Sequence, residues 1–346
     1  MPLNPIYLDH AATTPLLPEA MAAMQEGFRI WANPSSPHAA GRAARAALED
    51  ARARVKAALG WQGEVIFTSG ASEALAIGIG RAKAERVLVS AVEHDAALRA
   101  AGDAMRLPVN AGGLLDQEAL AAALGGRALI VVQQVNSETG VVQDVAGIAA
   151  TVRGSGGLVL CDAAQGAGKL DLPDADIIVL SAHKFGGPVG VGALLVRDWA
   201  LLNPSGGQER GYRGGTEALP LVLGMVAAME AGNQWLKPAS DLRRSLTNHM
   251  LEEGAEIVAA TSPRSPTIAA YRMPGKSSAA QLIRFDGAGI AVSAGSACSS
   301  GSLKASHVLT AMGYAHAAEV IRVSIGRETT EEEIARFVAV WKEIRG

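Results

Sequence analysis

The sequence predicts an α/β fold: a mostly parallel sheet in a large domain, followed by a smaller α+β C-terminal domain. Three observations predict it. Six short apolar runs recur between residues 64 and 196. Each is continuous rather than alternating, as in strands covered on both faces. Segments rich in Ala, Leu, Glu and Arg separate most of these runs, and strand–helix alternation builds a parallel sheet with helices on either side. After about residue 235 the runs shorten and the alternation is lost.

Taken in order, the apolar runs are "EVIFTS" (64–69), "RVLVSA" (86–91), "ALIVVQQ" (128–134), "GLVLCD" (157–162), "DIIVLSA" (176–182) and "VGALLV" (191–196). Before them, "HAAGRAARAALEDARARVKAALG" (38–60) has the apolar spacing of an amphipathic helix, closed by Gly60. Beyond residue 235, "PASDLRRSLTNHMLEEGA" reads as a helix, "SPTIAAYRM" and "VIRVSIG" as strands, and "TTEEEIARFVAVWKEIR" as a terminal helix. The expected division is a large domain over 16–235 and a small domain made of 1–15 together with 236–346. No internal repeat or low-complexity segment stands out.

Composition narrows the function. Of the 346 residues, 49% are hydrophobic and 19% charged, and the net charge is -3. A balance this near neutrality gives no sign of a nucleic-acid partner. Glycine, at 39 residues, exceeds the usual share of roughly 7% and fits many tight turns. The two cysteines, Cys161 and Cys298, belong to no CxxC or Cys/His cluster, so neither a disulfide framework nor a metal site is expected. No basic stretch followed by an apolar core opens the chain. The longest uncharged apolar run falls short of the ~20 residues of a membrane span. A soluble chain in a reducing cytoplasm is the expectation.

Five motifs carry chemistry. In "FTSGASEA", Gly70, Ala71 and Ser72 stand between a strand and a helix start, whose open N–H groups suit a phosphate. Read alone, this is also an ordinary capped turn. In "CDAAQGAG", Asp162 ends an apolar strand, where a carboxylate calls for a cationic partner such as a protonated pyridine nitrogen. Gln165, three residues on, is placed to donate to a ring oxygen. In "SAHKFGGP", Lys184 ends a buried strand, where desolvation frees an amine for imine formation. Ser181 and His183 flank it within reach of a phosphate.

This order of phosphate loop, strand-end Asp and strand-end Lys is what a pyridoxal 5'-phosphate (PLP) site needs. His94, in "SAVEHDA", is placed to stack on the ring. "SAGSACSSGS" (293–302) is a run of small residues around one thiol, the setting of an accessible nucleophile at Cys298. Cys161, inside an apolar strand, reads as buried and inert. Arg322, within an apolar strand, offers a fork for an α-carboxylate, with Arg327 a weaker candidate.

Together with "YLDHAATTP" (7–15), "NPSSPH" (33–38), "VNSETG" (135–140), "RGGTE" (213–217) and "IRVSIGR" (321–327), these motifs resemble the cysteine desulfurases, of the class V aminotransferase group of fold-type I PLP-dependent transferases. The resemblance runs over nearly the whole chain and implies a seven-stranded-type sheet and a homodimer with shared active sites. It implies Lys184 as Schiff-base lysine and acid/base, Asp162 on the pyridinium, Gln165 on the ring hydroxyl and His94 on the ring face. Ala71, Ser72, Ser181 and His183 would hold the phosphate, with Thr216 reaching across from a second subunit. Asn136 and Arg322 would hold the substrate carboxylate, and Asn33 would line the mouth. Cys298 would take sulfur from L-cysteine as a persulfide, leaving L-alanine. A sulfur-acceptor protein serving iron–sulfur assembly or tRNA thiolation would follow.

Two further readings share the fold: an aminotransferase, and a selenocysteine or cysteine-conjugate lyase. An aminotransferase has no use for Cys298. A dinucleotide-binding protein would need a glycine fingerprint and an acidic residue about 20 positions later, a combination the sequence lacks. An inactive scaffold would have no use for Lys184 and Cys298.

Overall fold

The computed structural model describes residues 5–295 and 305–346. In chain order the strands are β1 (Ile6–Tyr7), β2 (Glu64–Thr68), β3 (Arg86–Ser90), β4 (Met105–Leu107), β5 (Ala128–Gln133), β6 (Leu158–Asp162), β7 (Ile177–Ser181), β8 (Gly192–Val196), β9 (Glu256–Ile257), β10 (Ile268–Arg272), β11 (Ile290–Ala291) and β12 (Val320–Ser324). The helices are α1 (Pro18–Arg29), α2 (Ala39–Leu59), α3 (Ala71–Arg81), α4 (Asp95–Ala101), α5 (Gln117–Ala123), α6 (Val145–Gly154), α7 (Leu219–Glu230), α8 (Leu236–Glu252), α9 (Ser278–Gly287), α10 (His307–Ala311) and α11 (Glu331–Arg345).

Seven strands form the central sheet in the order β2-β8-β7-β6-β5-β3-β4. β4, β3, β5, β6 and β7 run parallel, while β8 is antiparallel to both of its neighbours. The mostly parallel α/β sheet anticipated from the apolar runs is the one observed. Every residue of β5, β6, β7 and β8 is buried, which explains why those runs are continuous. Alternate residues enter two cores on opposite faces. Phe67, Ile130, Val132, Ile178 and Leu180 face α1, α2, α6 and α7. Ile66, Leu129, Val131, Ile177 and Val179 face α3 and α4. Each fully buried side chain of this kind contributes about 1.5–3 kcal/mol.

One strand of the sheet escapes the sequence pattern. β4 has three residues, of which Met105 and Arg106 are exposed and Leu107 is buried. A short, half-solvated edge strand has no apolar run to betray it. α2, in contrast, lies where the sequence places it, ending at Gly60 with φ +62°, a left-handed conformation that glycine adopts without strain.

A third core gathers Ile6 and Leu8 with Tyr271, Phe285, Ile321, Phe337 and Trp341. It packs α8, α9 and α11 around the antiparallel sheet β12-β10-β9 and the parallel pair β1-β11. The Phe285 and Phe337 rings stack with centroids 4.9 Å apart. A capping box between Thr330 and Glu333 starts α11.

Candidate active site

Parallel strands in register finish at one edge. Gln133, ending β5, lies beside Asp162, and Asp162 lies beside Val179, two residues before Ser181. The segments that follow β2, β3, β5, β6 and β7 therefore gather beyond this edge, where open α/β sheets bind ligands. A cavity of about 480 Å³ opens there, within the range of roughly 300–1,000 Å³ common for small-molecule sites. Ala71, Ser72, His94, Asp162, Gln165, Ser181, His183, Lys184 and Arg322 all line it.

Two glycines shape the turn between β2 and α3. Gly70 caps α3 at φ +145°, a conformation that L side chains rarely adopt. Gly192, paired with both Thr68 and Ser181, sits so close that an added Cβ would lie 2.4 Å from the Leu180 carbonyl and 2.9 Å from Gly70. The start of α3, with Ala71 and Ser72, lines the cavity.

Lys184 closes a single 3-10 turn, Ala182–Lys184, directly after β7. Its Nζ donates to the carbonyls of Ala11 (2.8 Å) and Ala12 (2.7 Å). The same N-terminal segment holds the neighbouring residues. Thr13 Oγ1 meets His183 Nδ1 at 3.1 Å, Thr14 N donates to the His183 carbonyl, and Thr14 Oγ1 donates to the Lys184 carbonyl. The motif "YLDHAATTP" therefore forms one wall of the site.

Asp162 is buried at the end of β6, and its Oδ1 accepts from the Ala164 N–H at 2.9 Å. Burial raises its pKa, while that N–H and the charges of His94 and Lys184 pull the other way. A cation brought beside this carboxyl would relieve its desolvation. Gln165 donates through Nε2 to the Ala11 carbonyl at 2.8 Å, and its buried Oε1 has no donor. One of its two N–H groups is thus engaged by backbone, and the side chain keeps both a second N–H and an acceptor oxygen for a bound group. His94 caps α4, with Nδ1 accepting from Ala96 N at 3.1 Å. The His183 pKa is lowered to about 4, by burial first and then by Lys184 and Lys169, so the ring is neutral at pH 7.

Arg322, from β12, reaches the same cavity. Its Nη2 donates to Asp9 Oδ1 at 2.6 Å and its Nη1 to the Ser137 carbonyl at 2.9 Å. The buried Nε has no acceptor. Asp9 Oδ2 in turn accepts from Ser293 Oγ. Asn136 is also buried, but not on the cavity wall. Its Oδ1 accepts from Glu138 N, Thr139 N and Thr139 Oγ1, and its Nδ2 donates to the Val92 carbonyl. That side chain holds the turn whose next residues, Ser137 and Glu138, do line the cavity. Asn33 is exposed, with Oδ1 accepting from Ser35 N. Thr216 is exposed and absent from the wall. Cys298 lies outside the described residues. Cys161 is fully buried and its thiol pKa is pushed well up.

Several residues lack a sequence signal of their own. Glu93, beside His94, is completely buried. Its Oε1 accepts from Gln133 N at 2.9 Å, and burial, with Asp162 adding to it, pushes its pKa well up against the Gln133 N–H and the Ser90 hydroxyl. His307 meets the Glu93 carbonyl through Nε2, and Ser306 donates to Glu138 Oε2 at 2.6 Å. Among the described residues, no His, Cys, Asp and Glu group suited to hold a metal ion occurs.

A mostly parallel sheet covered on both faces, with a lysine and a buried carboxyl at adjacent strand ends, has the architecture of the fold-type I PLP-dependent transferases, and solved structures share the fold. An X-ray structure of a NifS-like protein from Rickettsia africae superposes with a TM-score of 0.90 at 29% identity, covering 99% of either chain. A structure titled SspA in complex with cysteine superposes with a TM-score of 0.81 at 29% identity, over 94% of this chain and 100% of that one. A cysteine desulfurase of Cereibacter sphaeroides is 37% identical, over 97% of this chain and 94% of the relative. The profile of the Aminotransferase class-V family matches residues 6–337, and the chain belongs to that family.

Proposed function

We propose that this chain is a PLP-dependent cysteine desulfurase that converts L-cysteine to L-alanine and passes the sulfur to Cys298. The observation that carries the reading is the convergence of Lys184, Asp162 and Arg322 on one cavity, in a chain similar along its length to cysteine desulfurases.

The residues present fit PLP. Asp162 is a buried carboxyl that a protonated ring nitrogen would relieve of its desolvation. Gln165 Oε1 is an orphaned acceptor suited to the ring hydroxyl. The N-terminus of α3, approached over Gly70 and Gly192, suits the phosphate, with Ser72, Ser181 and His183 as further partners. His94 would pack against the ring face, and Lys184 would hold the aldehyde carbon. When bound, PLP supplies an electron sink for the α-carbon of the amino acid.

The remaining steps belong to the chain's own side chains. Arg322 receives the substrate carboxylate on its fork, held in place by Asp9 and Ser137. Lys184 Nζ takes the α-proton and returns a proton to carbon. The Cys298 thiolate attacks the substrate sulfur. A sulfur–sulfur bond forms as the Cβ–S bond breaks, its electron pair stays with the carbon fragment, and protonation there completes alanine. Ser293, before Cys298 in the chain, and Ser306 and His307, after it, are tied to the site. An acceptor protein then takes the sulfur, in a reducing cytoplasm that keeps the thiol available.

We also propose a homodimer, with Thr216 completing the phosphate site of the second subunit. Met21, Phe28 and Trp31 support this: they lie on and just beyond α1 and are exposed by 46%, 62% and 78%, an apolar surface that calls for a partner. The separate core that joins Ile6 and Leu8 to residues beyond 236 supports a division into a cofactor domain over 16–235 and a smaller domain of 1–15 with 236–346.

The test is one coupled assay. The purified protein should show a visible band that borohydride abolishes. With L-cysteine and a reductant it should form alanine and sulfide in equal amounts. A band without sulfide would refute the substrate, and the absence of a band in protein supplied with PLP would refute the cofactor.

A further inference from the structure

The first turn of α3 carries a negative charge where a bound phosphate would bring more. Glu73 stands three residues after the N-cap Gly70 and lines the large cavity with Ala71 and Ser72. Its Oε2 accepts from the Ser69 N–H, so the side chain folds back onto the turn between β2 and α3. Burial raises the Glu73 pKa, but the Ser69 N–H and then Arg213 outweigh it and hold the carboxyl below its ordinary range. Glu73 is therefore ionised at pH 7. A carboxylate in a first turn draws on the same helix-start potential that suits a phosphate, and it repels a second anion there.

Arg213 meets this charge. Its Nε donates to both carboxylate oxygens, Oε1 at 3.0 Å and Oε2 at 3.1 Å. The two side chains are 16% and 28% exposed, so solvent screens the pair only in part. Several contacts hold the segment that delivers Arg213. Glu209 pairs with the buried Arg52, Arg210 donates to Glu49 of α2, Tyr212 stacks on Trp199 with centroids 4.5 Å apart, and Arg213 Nη1 donates to the Gly215 carbonyl. Glu209 and Arg210 lie at φ 45° and 56°, in the left-handed region that non-glycine residues occupy only where their surroundings over-determine it. The fold thus carries local strain in the segment that sets Arg213 against the start of α3.

Resting on the reading of the cavity as a PLP site, we propose that Arg213 is a positioning residue for the cofactor phosphate: acting through Glu73, it cancels the carboxylate charge at the start of α3 and so admits a phosphate there. Glu73 meanwhile keeps the Ser69–Gly70 turn in shape. A phosphate monoester carries a charge of about -1.5 to -2 at pH 7, so an uncancelled carboxylate beside it is costly. The other charged groups of the cavity wall are engaged elsewhere. Asp95 pairs with Arg99, Glu138 accepts from Ser306, and burial pushes Glu93 toward its neutral form. Asp162 ends β6, Arg322 is bonded to Asp9, Lys184 donates to Ala11 and Ala12, and His183 is neutral at pH 7.

The phosphate can be tested apart from the rest of the cofactor. The full-length chain, stripped of cofactor, is titrated with PLP and separately with pyridoxal, which has the same ring and aldehyde but no phosphate, and the visible imine band is followed. Arg213→Gln strands the Glu73 charge: it should weaken PLP binding roughly tenfold and leave pyridoxal within about twofold. Adding Glu73→Gln to that variant should bring PLP back to within about threefold of the unsubstituted chain. Equal weakening of both compounds, as a merely structural role would give, unchanged PLP binding, or a double variant no better than the single each overturns the proposal. Should Arg213→Gln fail to fold, Glu73→Gln alone removes the charge and keeps an acceptor for the Ser69 N–H. It should bind PLP at least as tightly as the unsubstituted chain, and weaker PLP binding overturns the proposal. Failure of the PLP reading itself is separate: neither compound would then give a borohydride-sensitive band with the unsubstituted chain.

Discussion

Replacing Glu209 with Leu should cost this protein a large part of its stability, and the structure indicates how much. The Glu209 side chain is 0% exposed and that of its partner Arg52 is 5% exposed. They form a two-pronged pair, Nη1 to Oε2 at 2.8 Å and Nη2 to Oε1 at 3.1 Å, and Glu209 Oε2 also accepts from the Phe67 N–H at 2.8 Å. The Arg52 guanidinium lies over the Phe67 ring, 4.8 Å from its centroid. Glu209→Leu leaves a buried guanidinium without its main counter-ion and a buried N–H without an acceptor. Breaking one side of such a pair costs about 3–5 kcal/mol, set against total stabilities of about 5–15 kcal/mol. Replacing both partners with apolar residues of similar volume, Arg52→Met with Glu209→Leu, should recover most of the loss, because neither charge is then stranded. Urea unfolding of the reduced, full-length protein, followed by circular dichroism, reads both variants. The pair also ties β2, which leads to Gly70, to the loop that leads to Thr216, so the single variant should bind PLP more weakly as well. A single variant within about 1 kcal/mol of the unsubstituted protein, or a double variant no better than the single, would refute the reasoning.

Four further outcomes follow from the site. Asp9→Asn removes the charge that holds Arg322 Nη2 at 2.6 Å, and steady-state kinetics should show a raised KM for L-cysteine with a smaller change in kcat. Cys298→Ala should keep the borohydride-sensitive band and lose sulfide release. Gly192→Ala would press a methyl against the Leu180 carbonyl and Gly70, and equilibrium titration should show weaker PLP binding than in the unsubstituted chain. His183 is neutral when folded, with its pKa lowered to about 4, and titrates near 6.5 when unfolded. The unfolded chain therefore takes up a proton that the folded one refuses. Stability should fall as pH drops from about 6.5 to 4, and His183→Gln should flatten that part of a pH–stability profile measured on the cofactor-free protein.

Much of the site was legible because strand-end chemistry leaves a local mark. Asp162 and Lys184 each interrupt an apolar run with a charge, and burying a charge without purpose is too costly to be common. Gly70 and Ser72 mark a helix start by residue type alone. Other features leave no such mark. β4 is too short for a periodicity. Glu93 and Lys169 look like surface residues in sequence, and only the packing of neighbouring elements seals them from water. Asn136, read from the sequence as a substrate contact, has its carboxamide oxygen filled by the 138–139 backbone and the Thr139 hydroxyl. That cannot be read without knowing how the turn closes.

The sequence by itself determined the layered α/β class, the positions of the main strands along the chain and the residues able to carry chemistry, because burial on both faces, helix capping and strand-end charges act over a few residues. The tertiary structure alone decided which of those residues meet. It brought the N-terminal carbonyls of Ala11 and Ala12 onto Lys184, Asp9 onto Arg322, and Arg213 onto Glu73, each across a separation of more than a hundred residues. Such contacts depend on how separate cores dock and where parallel strands end, and no local pattern of residue types encodes that.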